Sequence, residues 1–496
     1  MTTEIPLANR IHALPALATE QRSFKARVKQ AKKQNKKMQN RIARAVASGN
    51  RHRALALQSF YIRSASARIE AVAESHKKLR RSPRRHPTEL LEIAMALNPF
   101  TGSEEAARVS ARDKPNRQFR PIVSFGIEQK ALQILMRNAV WPFVQTDPRQ
   151  HALTNGGRNA ACGRIMDAIR KDAKWFIGLD IRNFYGSINR ERINDIITVP
   201  TGALQATIRL PENINIGRIG NAIGPINLLD AARRGVSQGS SFSPIIAELV
   251  CKEILRSVSS RFVVINYADD FGIMARTKRE AKLISKTLIS AARRSRFGHF
   301  QLIVKTRHRR VADGFDFLGY FFRKRNGEIR CEPSSKNCQE FFNKSYDHMR
   351  RVGRQSLDAV INLQKYVKSW TAAFPLWNAG KQIYWPRYWV QQIAKTNLPH
   401  LTEQIENAML WSDNNFHSTS SAQSGQNSRS STLSVEHRSL HICGQPITMS
   451  RRSSTVTEME RQVSARHRNR PSANDHNRPH EELLALPWGG SAQLAD

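Results

Sequence analysis

The chain has 496 residues and a mass of 56.3 kDa, room for roughly two to four domains and a substantial core. Its formal charge of +39 and pI near 10.9 imply a polyanionic partner, and nucleic acid is expected ahead of membrane because no long apolar segment could span a bilayer. Cys162, Cys251, Cys331, Cys338 and Cys443 are scattered and odd in number, which excludes a disulfide framework or zinc site; with no secretory signal in MTTEIPLANR, a cytoplasmic protein is expected.

Residues 21 to about 85 read as a basic helical hairpin. Met38, Ile42, Ala45 and Val46 recur at helical spacing, Ser48-Gly49-Asn50 is a turn, and Leu55, Ile62, Ile69 and Val72 resume the period. No acidic residue occurs from 21 to 69, whereas solubility alone calls for mixed charge, so runs such as Lys32-Lys33, Lys36-Lys37 and Arg80-Arg81 are expected to lie along phosphates. Ser82-Pro83 and His86-Pro87 mark a boundary, followed by a helix through Leu90, Leu91, Ile93, Ala94 and Leu97.

Next comes a basic loop from Lys114 to Val123, in which Arg120 precedes a proline and is biased to extended backbone, from which its planar fork could reach a triphosphate. Leu132, Leu135, Met136, Val140 and Phe143 define a core helix, Asn155-Gly156-Gly157 a turn, and Ile165, Ala168 and Ile169 a further helix. The strand Trp175 to Leu179 then ends in Asp180. Residues 200 to 232 read as an irregular insertion with one short hairpin. In the glycine- and serine-rich stretch Arg234 to Pro244 small residues permit close backbone approach, with Ser243 as helix cap and Pro244 as first helical residue, before an apolar helix to Leu255.

Phe262 to Ala275 reads as a buried β-hairpin, with Val263, Val264 and Ile265 on one side of Tyr267-Ala268-Asp269-Asp270 and Phe271, Ile273 and Met274 on the other. Two adjacent carboxylates in an apolar hairpin are costly to bury unless a cation neutralises them. A helix from Glu280 to Ala292, a strand from Leu302 to Thr306 and another from Gly314 to Tyr320 complete an α+β sheet. Residues 335 to 411 are helical, with Leu357, Val360, Ile361, Leu363, Val367 and Trp370 in period and Trp377, Trp385, Trp389 and Trp411 serving mainly as core. Beyond Ser412 apolar periodicity is lost and a disordered tail is expected.

In order along the chain, these blocks resemble a reverse transcriptase of the prokaryotic kind found in group II introns, retrons and phage-defence systems. Asp180 with Phe184-Tyr185 resembles the first palm motif, and Gly235, Gln238, Gly239, Ser243 and Pro244 resemble Gly-x-x-Gln-Gly-x-x-x-Ser-Pro. Tyr267-Ala268-Asp269-Asp270 is similar to the polymerase motif, while Lys305-Thr306 and Phe317-Leu318-Gly319-Tyr320 resemble the two motifs that close the palm. Residues 39 to 72 and 361 to 378 are similar to the N-terminal segment and thumb of group II intron enzymes.

The resemblance implies a right-hand polymerase: a basic helical RNA-binding extension (1–85), fingers and palm with an antiparallel catalytic sheet (86–325), a helical thumb or maturase-like region (326–411) and a disordered tail (412–496). It implies RNA-directed DNA synthesis with two Mg2+ ions, Mn2+ being the alternative. Asp180 and Asp269 would be the principal ligands and Asp270 the support, because neighbours on extended backbone point to opposite faces. Arg120, Tyr185, Gln238 and Lys305 would bind nucleotide, with Tyr185 excluding a ribose 2′-hydroxyl. The implied partners are an RNA template, a DNA or RNA primer, deoxynucleoside triphosphates and a cognate structured RNA. The competing readings are a non-catalytic or splicing-type RNA-binding maturase and a defence-associated polymerase with untemplated or protein-primed synthesis.

Overall fold

The computed structural model describes residues 7–79, 85–114, 118–219, 224–352 and 357–378, and only short pieces beyond. Arg80-Arg81, Ser82-Pro83, Pro115 to Arg117, Trp385, Trp389 and Trp411 lie outside the described residues. So does the expected tail 412–496, apart from a two-residue ladder between His441–Ile442 and Gln445–Pro446. Residues 1–341 with 369–383 form one compact unit, and 342–368 with 384–496 a second.

Apolar spacing builds the first helices. α1 (Leu7–Ala47) buries Ala31, Asn35, Ile42 and Ala45 on one face, and Gly49, at φ 71°, ends the turn that follows it. Asn50 caps α2 (Arg51–Arg63) by accepting from the Arg53 amide. The spacing of Leu55 to Val72 predicts one continuous second arm, but the arm is broken at Ser64, whose extended backbone ends α2 and whose hydroxyl accepts from the Ala67 amide to cap α3 (Ala65–Lys78). α4 (Pro87–Ala96) starts on a proline, and the amphipathic α5 (Ile127–Val140) is the hub against which α2, α3 and α8 (Thr201–Ile208) pack. Buried Gln58 and Ser75 tie the hairpin to α5 by donating to the carbonyls of Ala139 and Ile127.

Three small sheets carry the rest. β1 (Ala107–Lys114) pairs antiparallel with β2 (Gln118–Ser124) and parallel with β4 (Ile214–Ile216). Residues 200 to 232 are therefore not an irregular insertion with a hairpin. α8, β4 and α9 (Pro225–Arg233) order the described part of this stretch, residues 220–223 lying outside it, because Leu204 and Leu228 are fully buried and β4 completes the β1 sheet.

The central sheet runs β5-β6-β3-β7, from β3 (Trp175–Arg182), β5 (Val263–Tyr267), β6 (Asp270–Ala275) and β7 (Gln301–Arg310), all antiparallel. Ile177, Leu179 and Ile181 of β3 join the core with α10 (Ser243–Leu255) and α11 (Lys278–Arg293) on one face. On the other face Phe176 stacks on Phe315 with centroids 3.9 Å apart and meets Phe317 edge-on at 5.6 Å. Those rings belong to the third sheet, β8 (Phe315–Phe317), β9 (Tyr320–Arg325) and β10 (Glu328–Pro333). Gly314 to Tyr320 is thus a hairpin and not one strand, since Leu318 and Gly319 both take positive φ, the turn that matches strand twist.

α6 (Gly157–Arg170) packs beside this sheet, and the guanidinium of its Arg158 lies over the rings of Tyr320 and Phe374. α12 (Ser335–Val352) and α13 (Leu357–Ala372) follow. After α13 the chain returns to β10, where the Asn378 side chain donates to the Ile329 carbonyl and accepts from the Cys331 amide, and its backbone amide donates to the Cys331 carbonyl. Among the described residues no helix is long and apolar enough to cross a membrane.

Candidate active site

The β5–β6 turn and the middle of β3 bring three carboxylates together. Asp180 does not end its strand; it sits inside β3, in register with Asp270 of β6 on one side and Ile303 of β7 on the other. One carboxylate oxygen from each of Asp180, Asp269 and Asp270 lies within 4.8 Å of the others. Asp269 and Asp270 do not point to opposite faces, because the backbone through the pair is not continuously extended. Here Asp269 is in the turn, after Ala268 at φ 52°, and the left-handed residue swings both carboxylates to one side.

A buried polar network holds that turn. Asn266, fully buried in β5, donates to the carbonyls of Ala268 (2.9 Å) and Asp270 (3.2 Å), and the Cys251 thiol donates to Ala268 at 3.4 Å. The backbone of Arg149 and His151 brackets Asn266, and buried Gln150 donates to the Glu248 carbonyl at 2.7 Å. The Ile181 amide donates to the Asp269 carbonyl at 3.0 Å, joining turn to strand.

Lys305 reaches the carboxylates because β7 is bulged. Gly178 pairs with Thr306 but Leu179 with Val304, which leaves Lys305 as the extra residue and re-aims its side chain onto the carboxylate face. Its ammonium lies 2.7 Å from Asp180 and 2.9 Å from Asp270, whereas Asp269 makes no ion pair among the described residues. Burial, opposed by Lys305 and reinforced by Asp269, holds the Asp180 and Asp270 carboxyls above the usual range. Burial would lower the Lys305 ammonium, but its hydrogen bonds to both carboxylates win and raise it.

Of the other expected residues, Tyr185 lies within electrostatic reach of Asp269 and of Arg120, and Gln238 is on a loop fastened to the strand that carries Arg120. Arg120 is on β2, in extended backbone as its proline neighbour requires, opposite Arg112. Tyr185, on the short α7 (Phe184–Ser187), is pushed up to about 12 by burial and by Asp269, with Arg120 pulling the other way. Gln238 accepts from the Val123 amide through its carbonyl at 2.8 Å, which fastens its loop to β2. Two glycines permit this fit: a Cβ at Gly235 would overlap the Tyr185 carbonyl, and one at Gly239 the Val123 carbonyl. Ser243 is not the helix cap; it lies in the first turn of α10 and donates to the Ser237 carbonyl at 3.0 Å.

Two groups escape the sequence reasoning. Lys114, at the end of β1, is lowered by burial and by Arg120 and feels Asp180 and Asp269, so it stands at the same centre. Its signal was a lysine six residues before Arg120, on the other arm of one hairpin. Asn266 was visible as the one polar residue in an apolar strand, which must find partners.

The sequence pattern of the family described as "Reverse transcriptase (RNA-dependent DNA polymerase)" matches residues 112–322. No curated protein matches the chain. Among solved structures, apo telomerase from Candida tropicalis, truncated from its C-terminal domain, aligns at 13% identity and TM-score 0.31, covering 46% of this chain and 55% of that one. Telomerase from Candida albicans in complex with a TWJ fragment of telomeric RNA aligns at 11% and 0.30, covering 64% and 65%. The Sicinivirus 3Dpol RNA-dependent RNA polymerase aligns at 14% and 0.30, covering 58% and 66%. This chain therefore spans 55% to 66% of the length of those chains. The family match runs from β1 to β9 and takes in every residue of the carboxylate centre, so residues 112–322 of this chain form a reverse transcriptase domain.

Proposed function

We propose that this chain is an RNA-directed DNA polymerase of the prokaryotic, group II intron-like type, acting in the cytoplasm and extending a DNA or RNA primer with deoxynucleotides on an RNA template. The observation that carries the reading is the convergence of Asp180, Asp269 and Asp270 from two strands and a turn onto one point. Their donor atoms are all carboxylate oxygens, the hard set that suits Mg2+. Asp180 and Asp269 are the principal ligands, with Asp270 in support. Two bound ions would activate the primer 3′-hydroxyl and stabilise the charge that develops on the attacking and leaving oxygens.

The primer O3′ attacks the α-phosphorus of the incoming nucleotide, the O3′–P bond forms, the bond to the bridging oxygen breaks and pyrophosphate leaves. Arg120 and Lys114 clamp the triphosphate, and Gln238 lines the nucleotide pocket from the loop fastened to β2. Lys305, kept charged by its two carboxylates, is the cation beside the leaving pyrophosphate. Tyr185 bars the ribose 2′-hydroxyl. The acid-free face of α1, where Lys25, Lys29, Lys32 and Lys36 are exposed opposite the packed stripe, holds RNA phosphates as part of an RNA-binding extension.

Purified protein, a primed RNA template, Mg2+ and labelled deoxynucleotides test this. The expected outcome is primer extension that falls at least about a thousandfold in the Asp269→Asn, Asp270→Asn double variant with its melting temperature retained. Extension that survives the double substitution sinks the reading.

A further inference from the structure

Past Lys305, β7 continues as Arg307, His308, Arg309 and Arg310, all exposed, along the open edge of the central sheet. Its far end meets the start of α11, where Lys278, Arg279 and Lys282 are exposed too. Trp175 joins the two segments. It pairs in register with Arg310, whose guanidinium lies 5.9 Å from the indole centroid, and the Lys278 ammonium lies 5.5 Å from the same centroid. His308 is held below the usual imidazole range by burial and then by Lys282, Lys278 and Arg307, so these charges share one locality.

Among the described residues no carboxylate neutralises them. Among the described residues none of Lys278, Arg279, Lys282, Arg307, Arg309 and Arg310 makes an ion pair. The acids in residues 278–286 and 301–313 are Glu280, whose carboxylate accepts from the Arg276 amide, and Asp313. Cation–π contact fixes a cation's position while leaving its charge intact, unlike a salt bridge. Lys278 and Arg279 moreover occupy the first turn of α11, the positive end of the helix dipole, where cations are disfavoured and an anion is welcome. Cations crowded against one another, held by an aromatic ring and set against a helix N-terminus form a surface whose repulsion a bound polyanion would relieve.

This surface is not the carboxylate cleft. Trp175 is five residues from Asp180 along β3, about 16 Å, and the odd spacing puts it on the opposite, helix-covered face of the sheet. A primer end reacting at Asp180 does not reach Trp175 on that face.

We infer that the corner formed by α11, the end of β7 and Trp175 binds the phosphate backbone of a structured RNA segment outside the primed stretch in the cleft. The choice of RNA over other polyanions rests on the polymerase reading above; the surface itself does not. Charges spread over two elements fit a run of phosphates better than one small anion, and the exposed heads lie on both a helix and a strand edge.

The test is full-length protein with Lys278→Gln, Lys282→Gln, Arg307→Gln and Arg310→Gln together, compared with wild type for binding to a long RNA hairpin across a salt series. Loss of four phosphate contacts should make the plot of log affinity against log salt shallower by about 3 and weaken binding at least roughly tenfold near 0.1 M salt. Extension of a short primed template should stay within about twofold, since none of the four residues touches the carboxylate centre. A charge-keeping variant, Lys278→Arg with Arg310→Lys, should bind the hairpin as wild type does, which separates lost charge from lost folding. Unchanged affinity and slope in the fourfold variant overturn the inference. So does an equal fall on the short primed template, which would place the cations in the cleft, or preference of this surface for an acidic polypeptide or a DNA hairpin over RNA. The Asp269→Asn, Asp270→Asn variant should keep full hairpin affinity. Wild-type protein that makes no product yet loses hairpin binding in the fourfold variant would remove the polymerase reading and leave this surface standing.

Discussion

Burial works on several single side chains at this site, and each has its own readout. Tyr185 is half-buried within electrostatic reach of Asp269, and burial and that carboxylate keep the phenol protonated. Tyr185→Ala should therefore raise ribonucleotide incorporation relative to deoxynucleotide at least about tenfold, read as the ratio of kcat/KM values; an unchanged ratio removes the gate from this residue. Glu248, one turn into α10, is a different case. Its Oε1 is buried without a hydrogen-bond partner, and burial raises its carboxyl from the ordinary 4.5 to about 7, the Leu153 amide pulling weakly the other way. The folded state thus holds a proton that the unfolded chain has given up. The stabilisation from that proton is complete below about pH 4.5 and is lost as pH rises through about 7. Glu248→Gln should melt progressively above wild type between those limits, by a gap of at most about 3 kcal/mol at pH 8. Parallel melting curves across the window would show that Glu248 is not protonated in the fold.

Among elements, the joint between the α10 loop and its neighbours is tight, because Gly235 at φ 57° and Gly239 at φ 123° let two backbones touch. Gly235→Ala should cost about 2–3 kcal/mol or more, from an L side chain in left-handed backbone and an overlap with the Tyr185 carbonyl. Thermal unfolding checks it, and a drop of less than a degree would mean the loop has another way to sit. These glycines were legible in the sequence as part of a spaced motif, as were the β-branched run before Asp269 and the strand before Asp180. What could not be read was set by partners far along the chain. The bulge that aims Lys305 depends on the register between β3 and β7, and the left-handed turn at Ala268 on Asn266, Gln150 and Cys251. The order of residues 200 to 232 depends on β1, more than ninety residues earlier, accepting β4 as a parallel neighbour. Ser64 breaks the arm that apolar spacing carries through from Leu55 to Val72, because its hydroxyl caps α3.

For the molecule as a whole, a formal charge of +39 makes every nucleic-acid affinity a function of salt, so the useful question is which cations carry it. On α1 the cations lie opposite the face that packs on α2 and α3, and replacing them removes charge without touching the core. Lys32→Gln, Lys33→Gln, Lys36→Gln and Lys37→Gln together should leave the melting temperature within about a degree or two and weaken RNA binding severalfold at moderate salt. A large loss of stability instead would show that α1 is held by its charges. The return of residues 369–383 to the first compact unit has a different consequence. Asn378 is stitched to β10 by its side-chain amide and its backbone N–H after an excursion that begins at residue 342, so covalent continuity through that excursion is not all that keeps Asn378 in place. A chain nicked inside the excursion would stay joined there as two noncovalent pieces, and the same stitch would let a separately supplied C-terminal fragment complement a chain that stops before it.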